Sequence, residues 1–144
     1  PDLAKLIRCA REVNDSKPEW VISNVQIAVA EHLQANPDKS AKDVTIACFG
    51  LAFKPDIDDL RESPSVGITL ALAKKHPGRV LAVEPNIERL PESLTNSVEL
   101  KSADSALHEA DIVVLLVDHK AFKGIPKSQL ETRQIIDTRG IFGR

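Results

Sequence analysis

The spacing of apolar residues changes character near residue 43. Before that point it is helical. Leu3, Leu6, Ile7, Ala10 and Val13 recur at three- and four-residue steps, with Lys5, Arg8 and Glu12 between them, and this predicts a first helix. Ser16-Lys-Pro-Glu19 then offers a capping serine, a proline in the first turn and a capping-box glutamate. The helix that follows carries Val21, Val25, Ala28 and His32 or Leu33 on one face and ends near Asn36-Pro37. The polar stretch 37–42 reads as a loop.

Beyond residue 43 the apolar residues come in short runs without alternation. These are Val44–Gly50, Arg79–Val83, Asp111–Val117 and the shorter Gln134–Asp137. Runs of that kind suit strands buried on both faces of a parallel sheet. Helical segments fall between them: from Ser63-Pro64 through Val66, Leu70 and Ala73 to His76, from Ser102 to Glu109, and from Lys127 to Thr132. Strand and helix alternate, so the expected fold is α/β, a Rossmann-like, doubly wound, mostly parallel sheet with right-handed crossovers. The expected organisation is a helical lead-in over 1–36 and an α/β unit over 43–144. The lead-in has too little apolar surface to stand alone. It must pack on the α/β unit, on protein outside this chain, or on another subunit.

Composition narrows the function classes. A chain of 144 residues, 42% apolar and 28% charged, fits one globular domain and excludes disordered and low-complexity classes. Nineteen Lys and Arg against 21 Asp and Glu leave a net charge of −2, which argues against a general nucleic-acid binder. Four Phe, one Trp and no Tyr argue against base-stacking platforms. No apolar run approaches the ~20 residues of a membrane span, and no signal-peptide pattern opens the chain. Two Cys make no disulfide framework and point to a reducing cytoplasm. A chain that opens at Pro1 and holds no Met is expected to be a fragment or a processed product.

In open α/β sheets, ligands bind at the carboxyl ends of the strands. Three segments are expected there: the loop after the first predicted strand, the Glu84-Pro-Asn turn after the second, and the segment after the fourth. The first of these, Leu51–Ser63, runs thirteen residues, against about 2–6 for ordinary connections of this type. It carries Lys54, Asp56, Asp58, Asp59, Arg61 and Glu62, with Phe53 and Leu60 between them. Ser63 then caps a helix whose free N–H groups face the same crevice, an arrangement suited to a phosphate. The plainer reading of these charges is a set of weak ion pairs in a solvated loop. Arg139, just past the fourth strand, also falls at the ligand edge.

Gly50 stands alone where a Gly-x-Gly-x-x-Gly dinucleotide fingerprint would need three glycines. Glu84 sits where a ribose-binding acid often follows the second strand. Without the glycine loop, the better reading is a turn residue bonded to a nearby backbone amide. His119 either lines the crevice or caps a helix. Cys48, inside an apolar strand, and Cys9 read as structural. His32, His76, His108 and His119 share no ligand spacing, so no metal site is expected. The six Lys or Arg within 120–144, against two acids, otherwise read as a solvated face.

The segment Phe49-Gly-Leu-Ala-Phe-Lys-Pro-Asp-Ile-Asp-Asp-Leu-Arg-Glu-Ser-Pro64 resembles the signature of the C-terminal domain of the UDP-glucose/GDP-mannose dehydrogenase family. Ala10-Arg-Glu-Val-Asn-Asp15 with Lys17-Pro18 is similar to the end of that family's central helical region. Val83-Glu-Pro-Asn-Ile87, Leu116-Val-Asp-His119 with Phe122, and Ile136-Asp-Thr-Arg-Gly-Ile141 resemble most closely the branch that oxidises UDP-N-acetyl-D-mannosamine. The resemblance implies an NAD-dependent, two-step oxidation of a nucleotide sugar's C6 alcohol to a carboxylate. It implies that this part of the enzyme holds the UDP of the substrate. NAD and the catalytic Cys would lie in parts outside this chain, since neither Cys9 nor Cys48 matches the nucleophile motif. By position, Phe53, Lys54 and Arg139 resemble substrate-contacting residues, and Arg61 an arginine that reaches the NAD. The resemblance also implies a homodimer or higher homo-oligomer built through the central helix. The chain alone would then be inactive. Another UDP-sugar 6-dehydrogenase of the family, acting on UDP-glucose or UDP-GlcNAc, a stand-alone nucleotide-binding module and a domain serving mainly subunit assembly remain the alternatives.

Overall fold

The computed structural model describes residues 6–8, 18–52, 60, 63–130 and 133–138. Within these, six strands form one sheet: β1 (Leu6–Arg8), β2 (Ile46–Phe49), β3 (Val80–Val83), β4 (Glu99–Leu100), β5 (Ile112–Leu115) and β6 (Gln134–Asp137). Their order is β1-β6-β5-β2-β3-β4, and every adjacent pair is parallel. The helices are α1 (Pro18–Ala35), α2 (Pro64–Lys75), α3 (Glu92–Thr95), α4 (Ala103–Glu109) and α5 (Lys120–Lys123), with single 3-10 turns at Ala41–Asp43 and Lys127–Gln129. Read from β4, this is the doubly wound order of the Rossmann fold. Its sixth position is filled by β1, from the opposite end of the chain.

β1 corrects the helical lead-in at one place. Leu6–Arg8 is a strand, with Leu6 opposite Ile135 and Arg8 opposite Asp137 on β6. Helical spacing does not distinguish a short apolar run from a strand, and pairing here satisfies an edge of β6 that would otherwise present open N–H and C=O groups. The rest of that predicted helix, and the Ser16-Lys17 cap, lie outside the described residues. β4, α3 and α5 are too short for apolar periodicity to reveal. Of the helix expected over 127–132, the described residues hold one 3-10 turn, Lys127–Gln129; 131 and 132 lie outside them.

Alternation along each strand feeds two cores. Ile46 and Cys48, Val80 and Ala82, Ile112 and Val114, and Ile136 face one side, where Val21, Val25 and Ala28 of α1 and Ile68 and Leu72 of α2 cover them. Ala47 and Phe49, Leu81 and Val83, Val113 and Leu115, and Ile135 face the other, covered by Ala106 and Leu107 of α4, Phe122 of α5, and Leu130. Burial on both faces is why these strands are continuously apolar. It also fixes α1: its three buried residues, four and three positions apart, form the stripe that packs on the sheet.

Candidate functional site

The neighbours of β2 diverge in sequence. β3 follows it on one side, and β5 lies on the other. The chain therefore leaves the sheet in opposite directions here, which opens a crevice at the carboxyl ends. Phe49 is the last residue of β2, and its carbonyl accepts from Leu116 N (2.9 Å) and Val117 N (3.3 Å). The chain then turns at Gly50, whose φ of +103° is open to glycine and strained for other residues. A Cβ at this position would lie 2.6 Å from Val117 Cβ, so glycine is needed for contact as well as for conformation.

Gly50 N makes the last ladder bond, to Val83 O at 2.8 Å. The next two amides belong to Leu51 and Ala52, both buried. They donate to Glu84 Oε1, at 2.8 and 3.0 Å. His119 Nε2 lies 2.8 Å from the same oxygen. The other oxygen, Oε2, accepts from Asn86 N and Asn86 Nδ2, at 3.1 and 3.0 Å. Glu84 is 3% exposed and His119 fully buried. Burial pushes the Glu84 carboxyl up. The bond from His119, the Leu51 and Asn86 amides and the charge of His119 more than offset this and hold it below the usual carboxylate range.

Glu84 is thus the turn residue expected from the sequence, bonded to a nearby amide at Asn86. The bonds to Leu51 and Ala52, across 33 and 32 residues, had no local signal. His119 stands at the N-cap position of α5, but its side chain makes no capping bond; it is fully buried, bonded to Glu84 and 5.3 Å from the Phe122 ring.

Two further segments reach this edge. Ser63 caps α2 as expected, its hydroxyl accepting from Ser65 N at 3.2 Å. Past β6, Thr138 is pinned by its hydroxyl to Leu115 O at 2.6 Å. Phe53, Lys54 and Arg61, together with Arg139, lie outside the described residues. Beside Glu84, a cavity of about 400 Å³ opens between the ends of β3 and β4, walled by Val83, Pro85, Leu100, Lys101 and Phe122.

A dinucleotide does not fit these residues in the usual way. One glycine stands at the turn, and the acid after β3 faces inward with both oxygens occupied. Cys48 is fully buried, and burial pushes its thiol up to about 12, too high for a nucleophile at neutral pH. No group of three potential metal ligands clusters among the described residues. His32 Nε2 sits 3.7 Å from Asp111, and His76 bonds the Val44 carbonyl, so the histidines serve separate places. No described helix is long and apolar enough to cross a membrane.

A Rossmann-like sheet with an elongated loop at its switch point defines a nucleotide-binding class of domain. Residues 47–144 match the UDP binding domain of the UDP-glucose/GDP-mannose dehydrogenase family, and the chain belongs to that family. It is 55% identical over 142 residues to the UDP-N-acetyl-D-mannosamine dehydrogenase of Yersinia pestis, covering 99% of this chain and 34% of that protein. It is 49% identical to the NDP-N-acetyl-D-galactosaminuronic acid dehydrogenase of Ralstonia solanacearum, covering 99% and 31%. The solved UDP-N-acetyl-mannosamine dehydrogenase of S. aureus superimposes with a TM-score of 0.62 at 28% identity, over 91% of this chain and 29% of that one. The chain spans about a third of the length of the relatives it matches.

Proposed function

We propose that this chain is the UDP-binding part of an NAD-dependent UDP-N-acetyl-D-mannosamine 6-dehydrogenase. The complete enzyme oxidises the C6 alcohol of the sugar through two hydride transfers to the carboxylate. The observation that carries this is the 55% identity across nearly the whole chain to an enzyme of that name. Phe53, Lys54 and Arg139 bind the nucleotide sugar, the two cations offering charge-assisted bonds to the diphosphate. Arg61 reaches toward NAD, which the remainder of the enzyme holds along with the catalytic Cys. The enzyme works in the cytoplasm as a homodimer or larger assembly and supplies acidic sugars for bacterial surface polysaccharide. The 49% identity to a dehydrogenase of a different N-acetylated sugar keeps that substrate as the second reading.

The test is NADH production by the complete enzyme with NAD and a panel of UDP-sugars. UDP-N-acetylmannosamine should give the highest kcat/KM, and the isolated chain should give no turnover with it. A preference for UDP-N-acetylgalactosamine or UDP-glucose would replace the sugar named here. In the same enzyme, Lys54→Ala and Arg139→Ala should each weaken UDP binding roughly ten-fold, the usual loss for one charge-assisted contact. Arg61→Ala should raise the KM for NAD and leave UDP binding nearly intact.

A further inference from the structure

We infer that Glu84 is a positioning residue for the nucleotide sugar: its carboxylate sets the course on which the loop after β2 leaves the sheet, and His119 holds that carboxylate in place. The inference rests on the proposed function, which puts the UDP contacts on that loop.

Glu84 occupies the position from which an acid in a Rossmann fold would reach a ribose. Here it is turned inward instead. Five donors, from Leu51, Ala52, Asn86 twice and His119, fill its two oxygens. The ends of β2, β3 and β5 therefore meet on one carboxylate, with β2 and β5 flanking the switch point. The arrangement answers a backbone requirement. Once Gly50 N has bonded Val83 O, the ladder of β2 is finished, yet Leu51 and Ala52 are still buried, and their amides need acceptors. In an extended strand, successive N–H groups point in opposite directions. Two successive N–H groups meeting on one oxygen force the chain to curve. Phe53 and Lys54 follow these two residues in the sequence.

Asn86 and His119 complete the device. Asn86 grips the second oxygen with its amide and its side chain, so the carboxylate cannot rotate about its own bond. His119, which follows β5, meets the first oxygen at 2.8 Å. A residue serving stability alone would leave the folded enzyme's affinity unchanged, whereas a positioning residue alters affinity for one ligand.

The test uses the complete dehydrogenase that carries this chain, with UDP as the probe in calorimetry and with KM measured separately for sugar nucleotide and NAD. Glu84→Ala should weaken UDP binding about ten-fold and raise the KM for the sugar nucleotide, with the KM for NAD little changed. Glu84→Gln keeps a carbonyl acceptor for Leu51 and Ala52 but turns an NH2 toward the two Asn86 donors, and should fall between wild type and Glu84→Ala. His119→Leu should weaken UDP binding by about three- to ten-fold, and His119→Gln, which retains a donor, should restore most of it. If Glu84→Ala does not fold, the His119 pair and Glu84→Gln decide. UDP affinity unchanged in a folded Glu84→Ala or in His119→Leu, or KM raised equally for both substrates, overturns the positioning role. Failure of the wild-type enzyme to bind UDP overturns the proposed function itself, and this inference with it.

Discussion

The two ends of β3 carry the same kind of chemistry in opposite settings. At the amino end, Arg79 bridges Glu99 at 3.0 Å and Glu109 at 2.7 Å, and Lys101 lies 3.9 and 3.7 Å from the same two acids. These side chains are between 30% and 49% exposed. At the carboxyl end, Glu84 is enclosed by His119 and backbone amides. Both ends hold carboxyls below their ordinary range. At the amino end the Arg79 hydrogen bonds do it; at the carboxyl end bonds from His119 and the amides outweigh burial. A shift in the same direction therefore does not mean the same contribution. Charges in water are screened by salt and keep their hydration when a partner is lost. A buried carboxylate that disappears leaves its donors with nothing to bond.

The largest test of this contrast is Glu84→Ala, which should cost about 3 kcal/mol or more, since the buried Leu51 and Ala52 amides each lose their acceptor at about 1–3 kcal/mol. Urea melts would measure it. The pH dependence has a definite sign. The folded carboxyl titrates below its unfolded value, near 4.3, so the unfolded chain binds more protons in this window. Its contribution is fully present above the unfolded value and is lost as pH falls through the folded one. The stability gap between wild type and Glu84→Gln should therefore be constant around neutrality and close in acid. A gap that widens in acid would mean that burial outweighs the bonds from His119 and the amides.

Gly50→Ala, at the same edge, comes next. The left-handed φ and the clash with Val117 should together cost about 2–3 kcal/mol. A thermal melt close to wild type would show that β2 and the segment after β5 can move apart, so that the crevice is not rigid. The smallest effect belongs to Arg79→Ala. Its change in melting temperature should be below about 2 °C and should vanish in molar salt. Destabilisation as large as at Glu84, and insensitive to salt, would erase the distinction between the two ends.

Much of the scaffold was legible in the sequence because burial on both faces leaves a local mark. Ile46–Phe49, Val80–Val83, Ile112–Leu115 and Gln134–Asp137 all lie inside runs marked by apolar residues without alternation. Ser63-Pro64 named its helix start because capping is a matter of neighbouring residues. The length of the loop after β2 and its resemblance to one family's signature likewise need no coordinates. Leu6–Arg8 is different. Two apolar residues and an arginine carry no period, and only the open edge of β6 makes them a strand. Glu84 is the clearest case of what tertiary structure decided. Its sequence neighbours account for the bond to Asn86, two residues away. They could not show that Leu51 and Ala52, more than thirty residues earlier, end a parallel ladder beside it, because hydrogen bonds across parallel strands join residues that sequence spacing does not relate.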